Sequence, residues 1–186
     1  MLIEIILAII QAATEFLPIS SSGHLALFAN VFSQPSLFYF TVLHIASLLA
    51  VLIFTRKEIK KLLTFERKYS KMWLYLIIGT IPAALVGFFF KDFIEVSLSS
   101  YLIMGIAFLF TSVLLFSTKY SNGNKKISFK SSFWVGAIQC LALFPGVSRS
   151  GTTISSARFL KVDKEEAFKF SFLLFIPLSL GAMLLE

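Results

Sequence analysis

The sequence predicts an all-α polytopic integral membrane protein with inverted-topology repeats, each containing a re-entrant, broken helix pair. Three observations predict it. The 186-residue chain is 57% hydrophobic with 22 phenylalanines, and its mean hydropathy is +0.85; soluble domains hold roughly 45–50% apolar residues. Several apolar runs reach bilayer length, about 20 residues. Two shorter runs are each cut by a proline followed by a Ser/Gly cluster, the mark of backbone that turns back inside the membrane.

In chain order, the first apolar run covers residues 2–17, about 24 Å at 1.5 Å per residue. It stops at Pro18 inside the polar string TEFLPISSSGH, Thr14 to His24, and a second short run follows at 25–32. Residues 1–34 therefore read as a re-entrant pair, and with a span at 37–54 they make a first repeat over 1–55. Two central spans follow at 72–90 and 98–118, within the block 72–118. The run 133–147 is again short, about 22 Å, and breaks at Pro145. Residues 133–160 read as a second re-entrant pair, which with a span at 168–185 forms a second, inverted repeat over 133–186. The whole of 1–186 reads as one membrane domain. The amino terminus does not read as a cleavable signal peptide: it has no basic region and carries Glu4.

The formal charge is +7, but its distribution argues against a nucleic-acid partner. No Lys or Arg precedes Arg56; then Arg56, Lys57, Lys60, Lys61, Arg67, Lys68 and Lys71 fall in one polar loop, 56–71, and Lys119, Lys125, Lys126 and Lys130 in another, 119–132. Two spans separate these loops, so they share a side, and their basic character makes that side cytoplasmic. The loop 91–97, with Lys91, Asp92 and Glu95, is then outside. The pair 1–34 enters from outside and the pair 133–160 from the cytoplasm, where Lys161, Lys164 and Lys169 also belong. One cysteine, Cys140, excludes an intrachain disulfide and reads as a small core hydrophobe.

Sliding the chain on itself by 128 residues aligns the two polar strings without a gap: Ile10 meets Ile138, Gln11 meets Gln139, Phe16 meets Phe144, Ser20 meets Ser148, Ser22 meets Ser150 and Gly23 meets Gly151. An odd number of spans lies between the copies, so they point in opposite directions, and inverted repeats with broken helices can meet at the membrane midplane. The mismatches are as telling. Glu15 faces Leu143, Ser21 faces Arg149 and His24 faces Thr152. The shared residues read as scaffold and the divergent ones as chemistry.

Arg149 is the sharpest signal. A guanidinium at membrane depth costs about 2.5–3.5 kcal/mol even on lenient scales. It must face a polar cavity and hold an anion such as phosphate or carboxylate, snorkel to the interface, or pair with Glu15. Each serine cluster precedes a helical segment, where Ser is a natural N-cap and the N–H groups and dipole of a helix start suit an anion. Two such starts facing each other would cradle a phosphate, with Ser20, Ser22, Gly23, Ser148, Arg149, Ser150, Gly151 and Thr153 as the candidate contacts. Glu15 lies one turn after Gln11 and shares its face; it can serve as general acid/base, metal ligand or partner of Arg149. His24 can be base, acid or nucleophile. His44, in mid-span, reads as structural, and Gln11 and Gln139 as supporting helix-to-loop hydrogen-bond partners. No zinc spacing, Walker motif or GxGxxG is present.

QAATEFLPISSSGH together with FPGVSRSGTT resembles the undecaprenyl-diphosphate phosphatase family, the UppP/BacA bacitracin-resistance proteins. The first string matches that family's motif at Gln11, Glu15, Ser21 and His24, the second at Pro145, Gly146, Ser148, Arg149, Ser150, Gly151 and Thr153. The segments Gly79 to Phe88 and Ser171 to Ala182 are also similar. The resemblance implies a multi-pass enzyme of the cytoplasmic membrane that hydrolyses the terminal phosphate of a polyprenyl diphosphate, with its active site opening to the outer face. It would recycle the lipid carrier for peptidoglycan and other surface glycans. In the scheme it implies, Arg149 and the helix starts bind diphosphate, Ser21 or His24 attacks or activates a nucleophile, and Glu15 orients it or holds a divalent cation, Mg or Ca. Membrane lipids and a second copy in a homodimer are further expected partners. Two departures stand out: Gln11 replaces a Glu found in some members, and the family usually continues for about two more spans beyond the position of Glu186, so the chain reads as a fragment or a short variant. The alternative function is a transporter or flippase for polyprenyl phosphate or a small anion, since inverted repeats also serve transport. A type-2 phosphatidic acid phosphatase is excluded because no histidine follows Ser148-Arg149.

Overall fold

The computed structural model describes residues 2–31, 37–64, 69–90, 93–94 and 100–185. Among these, the regular elements are helices, with one isolated bridge between Lys125 and Val162. The α-helices are α1 Leu2–Thr14, α2 Ser21–Val31, α3 Leu37–Phe54, α4 Arg56–Leu63, α5 Ser70–Phe89, α6 Tyr101–Ser117, α7 Phe129–Gln139, α8 Arg149–Phe159 and α9 Lys164–Leu185. The chain is an all-α, multi-pass membrane protein. Three helices are long and apolar enough to span: Ser70–Phe89, Tyr101–Tyr120 and Lys164–Met183. A fourth crossing appears when α3 is taken with α4 across a 73° bend. Helices α1, α2, α7 and α8, of 13, 11, 11 and 11 residues, are each shorter than the roughly 20 residues that a crossing needs. They come in two packed pairs, α1 with α2 and α7 with α8.

The bend corrects one expectation. Residues 56–63 are not loop but helix, because Ile59 and Leu62 fall on one face while Arg56, Lys57, Lys60 and Lys61 populate the others. Leu62 is buried. A short basic amphipathic helix of this kind suits the headgroup layer at the end of the α3 crossing. Arg67, Lys68, and the expected outer loop's Lys91, Asp92 and Glu95 lie outside the described residues.

Lipid is the solvent for the outer faces. On α6, Leu102, Leu109, Val113 and Phe116 are all more than 60% exposed, too large an apolar surface to leave in water. Inside, Leu76, Val135, Ala157, Phe170 and Leu174 join α5, α7, α8 and α9 in the main core. Leu7, Leu25 and Leu43 join α1, α2 and α3, and Leu48 and Val51 of α3 meet Phe175 of α9. Helix α8 is surrounded on all sides although it is rich in hydroxyls: Thr152, Thr153, Ser155 and Ser156 are buried. It tolerates burial because Thr152, Thr153 and Ser156 return their O–H groups to carbonyls one turn back, on Ser148, Arg149 and Thr152.

Helices α5 and α7 approach almost backbone to backbone. Gln139 Nε2 donates to the Gly79 carbonyl at 2.8 Å, and Ser132 Oγ donates to that of Tyr75. A Cβ placed on Gly136 would sit 2.4 Å from the Gly79 oxygen. Small residues at such a crossing replace the hydrophobic drive that lipid cannot supply. Gly136→Val therefore destabilises the protein by at least about 1–3 kcal/mol, the usual cost of overpacking; thermal unfolding in detergent should show the lowered midpoint.

Candidate active site

The site forms where two helix breaks meet. In the first, α1 ends at Thr14, whose Oγ1 donates to Ile10 O at 2.7 Å, and the Glu15 N–H continues the ladder to Gln11 O. Pro18 prevents further helix. Ser20 then takes φ +68°, a left-handed conformation that costs a residue other than glycine about 1–3 kcal/mol. Its hydroxyl accepts from the Gly23 N–H at 3.4 Å and starts α2. In the second break, Gln139 leads into a 3₁₀ turn, Cys140–Leu143, and Gly146 turns the chain at φ +95°. Ser148 caps α8 by accepting from the Gly151 N–H at 3.1 Å. Thr111 of α6 fixes this second loop: its Oγ1 donates to Gly146 O and accepts from the Ser148 N–H, both at 3.1 Å.

The 128-residue register seen in the sequence is a register of bonds. Ser20 and Ser22 hydroxyls lie 3.4 Å apart, Ser148 and Ser150 hydroxyls 3.3 Å apart. His24 Nδ1 bonds the Ser20 carbonyl at 2.7 Å, and its counterpart Thr152 donates to the Ser148 carbonyl at 2.7 Å. The contacts between the copies are reciprocal as well. A Cβ on Gly23 would lie 2.8 Å from Gly146 Cα; one on Gly151 would lie 3.2 Å from the carbonyl of Pro18, the residue that corresponds to Gly146. Reciprocity of this kind is what a twofold relation produces at an interface.

Within this matched frame the divergent residues converge. Arg149 donates from Nη2 to Glu15 Oε1 at 2.5 Å. Ser21, at the equivalent first position of α2, donates to Glu15 Oε2. Gln11 Nε2 donates to the same Oε2 at 3.1 Å and to Ser47 of α3 at 3.2 Å. The Glu15 side chain is 4% exposed and that of Arg149 22%, so the pair is buried but the guanidinium keeps an open side. Arg149 also lies over the Phe175 ring, 3.7 Å from its centroid, an apolar seat that suits a weakly hydrated planar cation.

A cavity of about 340 Å³ opens beside this pair. Of the candidate residues, Glu15, Ser20, Ser21, Ser22, Ser148, Arg149, Ser150 and Gln139 line it. Gly23, Gly151, Thr153, His24 and Gln11 stand behind the lining. The two glycines serve the loop contacts described above. Thr153 Oγ1 bonds Ser171 at 2.6 Å, and the His24 ring packs edge-on against Phe108. Thr14, His44, Thr80 and Ser179 also line the cavity. None stands among the candidate site residues: His44 reads as structural in the sequence, and a hydroxyl on an apolar helix gives no signal of the space that it borders.

The oxygen-rich donor set is compatible with a hard divalent cation. Glu15 is its anionic member, and Gln11 Oε1 is buried without a hydrogen-bond partner. Among the described residues no group of three or more His, Cys, Asp or Glu could hold a metal unaided. A cation fits here only with further oxygens, of the kind that a phosphate brings.

Comparison with known proteins places the chain in a family. The family model described as "Bacitracin resistance protein BacA" matches residues 4–186. An undecaprenyl-diphosphatase of Thermosipho melanesiensis is 46% identical over 191 residues, covering 98% of this chain and 76% of the relative. One of Methanococcus maripaludis is 44% identical, covering 98% and 77%, and an undecaprenyl-diphosphatase 4 of Bacillus thuringiensis is 46% identical, covering 97% and 71%. With its whole length from residue 4 matched and its paired motifs folded into one site, this chain belongs to the bacitracin resistance protein BacA family.

Proposed function

We propose that this protein is an undecaprenyl-diphosphate phosphatase, which removes the terminal phosphate and returns the monophosphate lipid carrier to cell-wall and surface-glycan synthesis. One observation carries the reading: a serine hydroxyl and an arginine share one buried carboxylate at the mouth of two capped helix starts. A nucleophile hydrogen-bonded to a base, with cationic and N–H donors alongside, is what phosphoryl transfer requires.

Ser21 is the better-placed nucleophile of the two sequence candidates, because it lines the cavity and touches Glu15. Its Oγ attacks the terminal phosphorus while its proton passes to Glu15. The bridging P–O bond breaks and the lipid monophosphate leaves. The open side of Arg149 and the first-turn N–H groups of α2 and α8 hold the terminal oxygens, whose charge they stabilise. Water then cleaves the P–Oγ bond, releasing inorganic phosphate, and the proton held by Glu15 returns to Ser21. Ser20, Ser22, Ser148 and Ser150 line the phosphate pocket, and Gln11 and Gln139 brace it. A magnesium or calcium ion on the diphosphate, with Glu15 as its protein ligand before the proton transfer, would neutralise part of the phosphate charge.

The lipid binds from the membrane with its chain between helices. The cavity opens toward the outer face of the cytoplasmic membrane. Its support is the position of the lining: Thr80, Ala83 and Gly87 on α5 and Leu178, Gly181 and Ala182 on α9 all fall in the halves remote from the basic residues of α4 and from Lys164 and Lys169. The two motif pairs, at 1–34 and 133–160, act as the halves of an inverted repeat around this site.

Purified protein should release phosphate from undecaprenyl diphosphate. Arg149→Ala should lower kcat by about 10³–10⁵-fold, the range for an arginine that stabilises phosphoryl transfer, and Arg149→Lys should restore little because the planar fork is lost. An unchanged rate in Arg149→Ala would sink the mechanism, and lipid flux without phosphate release would favour a transporter. Chelation should slow the reaction and added magnesium or calcium restore it. The ion pair also makes a stability prediction. Glu15→Gln alone costs about 3–5 kcal/mol by stranding a buried charge; in an Arg149→Met background the same change costs far less. A double-mutant cycle by denaturation in detergent reads the coupling.

A further inference from the structure

Among the described residues, three ionisable side chains line the cavity: Glu15, Arg149 and His44. The first two hold each other. The third has no part in the chemistry described so far. His44 lies on α3, one turn before Ser47, the residue that accepts from Gln11 beside Glu15. Its Nδ1 is 2.8 Å from the Phe40 carbonyl. A carbonyl only accepts, so Nδ1 carries a proton, and in the neutral ring the lone pair is then on Nε2. His24 is arranged differently. Its Nδ1 repeats the helix-start bond that Thr152 makes in the other copy, its ring packs on Phe108, and it does not line the cavity.

The mechanism needs a second base. Glu15 takes the Ser21 proton in the first step and holds it until Ser21 is released. The water that attacks the phosphoserine must give its proton to another group. We infer that His44 is a further catalytic residue, the proton acceptor for the water that hydrolyses this intermediate. The water oxygen bonds to phosphorus, the P–Oγ bond breaks, the water proton goes to His44 Nε2, and Ser21 Oγ takes back the proton from Glu15. His44 then loses its proton to solvent, and the net products are lipid monophosphate, inorganic phosphate and one proton. The inference rests on the phosphatase reading with Ser21 as nucleophile.

The charged surroundings of His44 are few. Helix α3 packs against α1, α4 and α9. From α1 and the turn after it come Glu4, whose carbonyl accepts from Tyr39, and Glu15. Helix α9 carries no ionisable side chain between Lys169 and Glu186. The charges of α4, Arg56 to Lys61, begin some three turns further along the chain. Arg149 of α8 is the cation that shares the cavity.

The test uses the full chain in detergent with undecaprenyl diphosphate carrying a labelled terminal phosphate. His44→Gln should cut steady turnover by about 10²–10⁴-fold, the usual worth of general-base catalysis. It should still release about one equivalent of lipid monophosphate and leave labelled phosphate on Ser21. Added imidazole should restart turnover in His44→Ala. The inference is overturned if His44→Gln turns over within about threefold of the unaltered protein. It is also overturned if the variant loses the first equivalent together with turnover and imidazole does not rescue His44→Ala, or if His24→Gln traps the phosphoserine instead. An unaltered protein that releases no phosphate, by contrast, would overturn the phosphatase reading itself.

Discussion

The ion pair between Arg149 and Glu15 is the constraint around which this molecule is arranged. A guanidinium among apolar helices is tolerable only beside a counter-charge, and the counter-charge lies 134 residues away in the chain. Bringing them together requires two loops to touch at membrane depth with every backbone group accounted for. That requirement explains features that look unrelated. Gly23 and Gly146 permit the close approach. Thr111 satisfies the backbone on both sides of Val147. The serine caps each accept one N–H from the first turns of α2 and α8. Phe175 covers one face of the guanidinium.

The site is asymmetric within a symmetric frame. Positions that match between the copies, Ser20 with Ser148 and Gly23 with Gly151, make the same local bonds in both. Ser21 and Arg149 occupy equivalent places, and both reach the one carboxylate. If both copies carried arginine, two cations would compete for Glu15; if both carried serine, the buried carboxylate would have no counter-charge. A twofold frame with different residues at one position therefore sets a hydroxyl and a guanidinium on one carboxylate.

Much of this was legible in the sequence because it rests on local rules. Run lengths gave the spans, proline and glycine marked the breaks, and the register of serines, read with Arg149, located the site. What stayed hidden depends on tertiary geometry. The α4 helix was masked by its charge, since basic clusters read as loop when their partner face is only Ile59 and Leu62. His44 looked like a mid-span residue with a backbone bond, which it is, and only packing shows that the ring also borders the cavity. His24 carried the louder motif, yet its Nδ1 makes the bond that Thr152 makes in the other copy. Thr111 gave no signal, and Phe175 none beyond the resemblance of its segment, since a threonine or phenylalanine in an apolar helix is unremarkable until a loop or a cation lands on it.

The left-handed turn at Ser20 has a consequence for the two halves as building blocks. Ser148 makes the same cap at φ −73°, in the ordinary extended region. The halves share a register but not an energy: the one bearing Ser21 carries a local distortion that the one bearing Arg149 lacks. A chain assembled from two second halves would be relaxed and would set two guanidiniums against each other. One assembled from two first halves would be distorted twice and would bury two carboxylates with no cation. The unlike pairing is the combination in which the charges cancel and the strained loop occurs once.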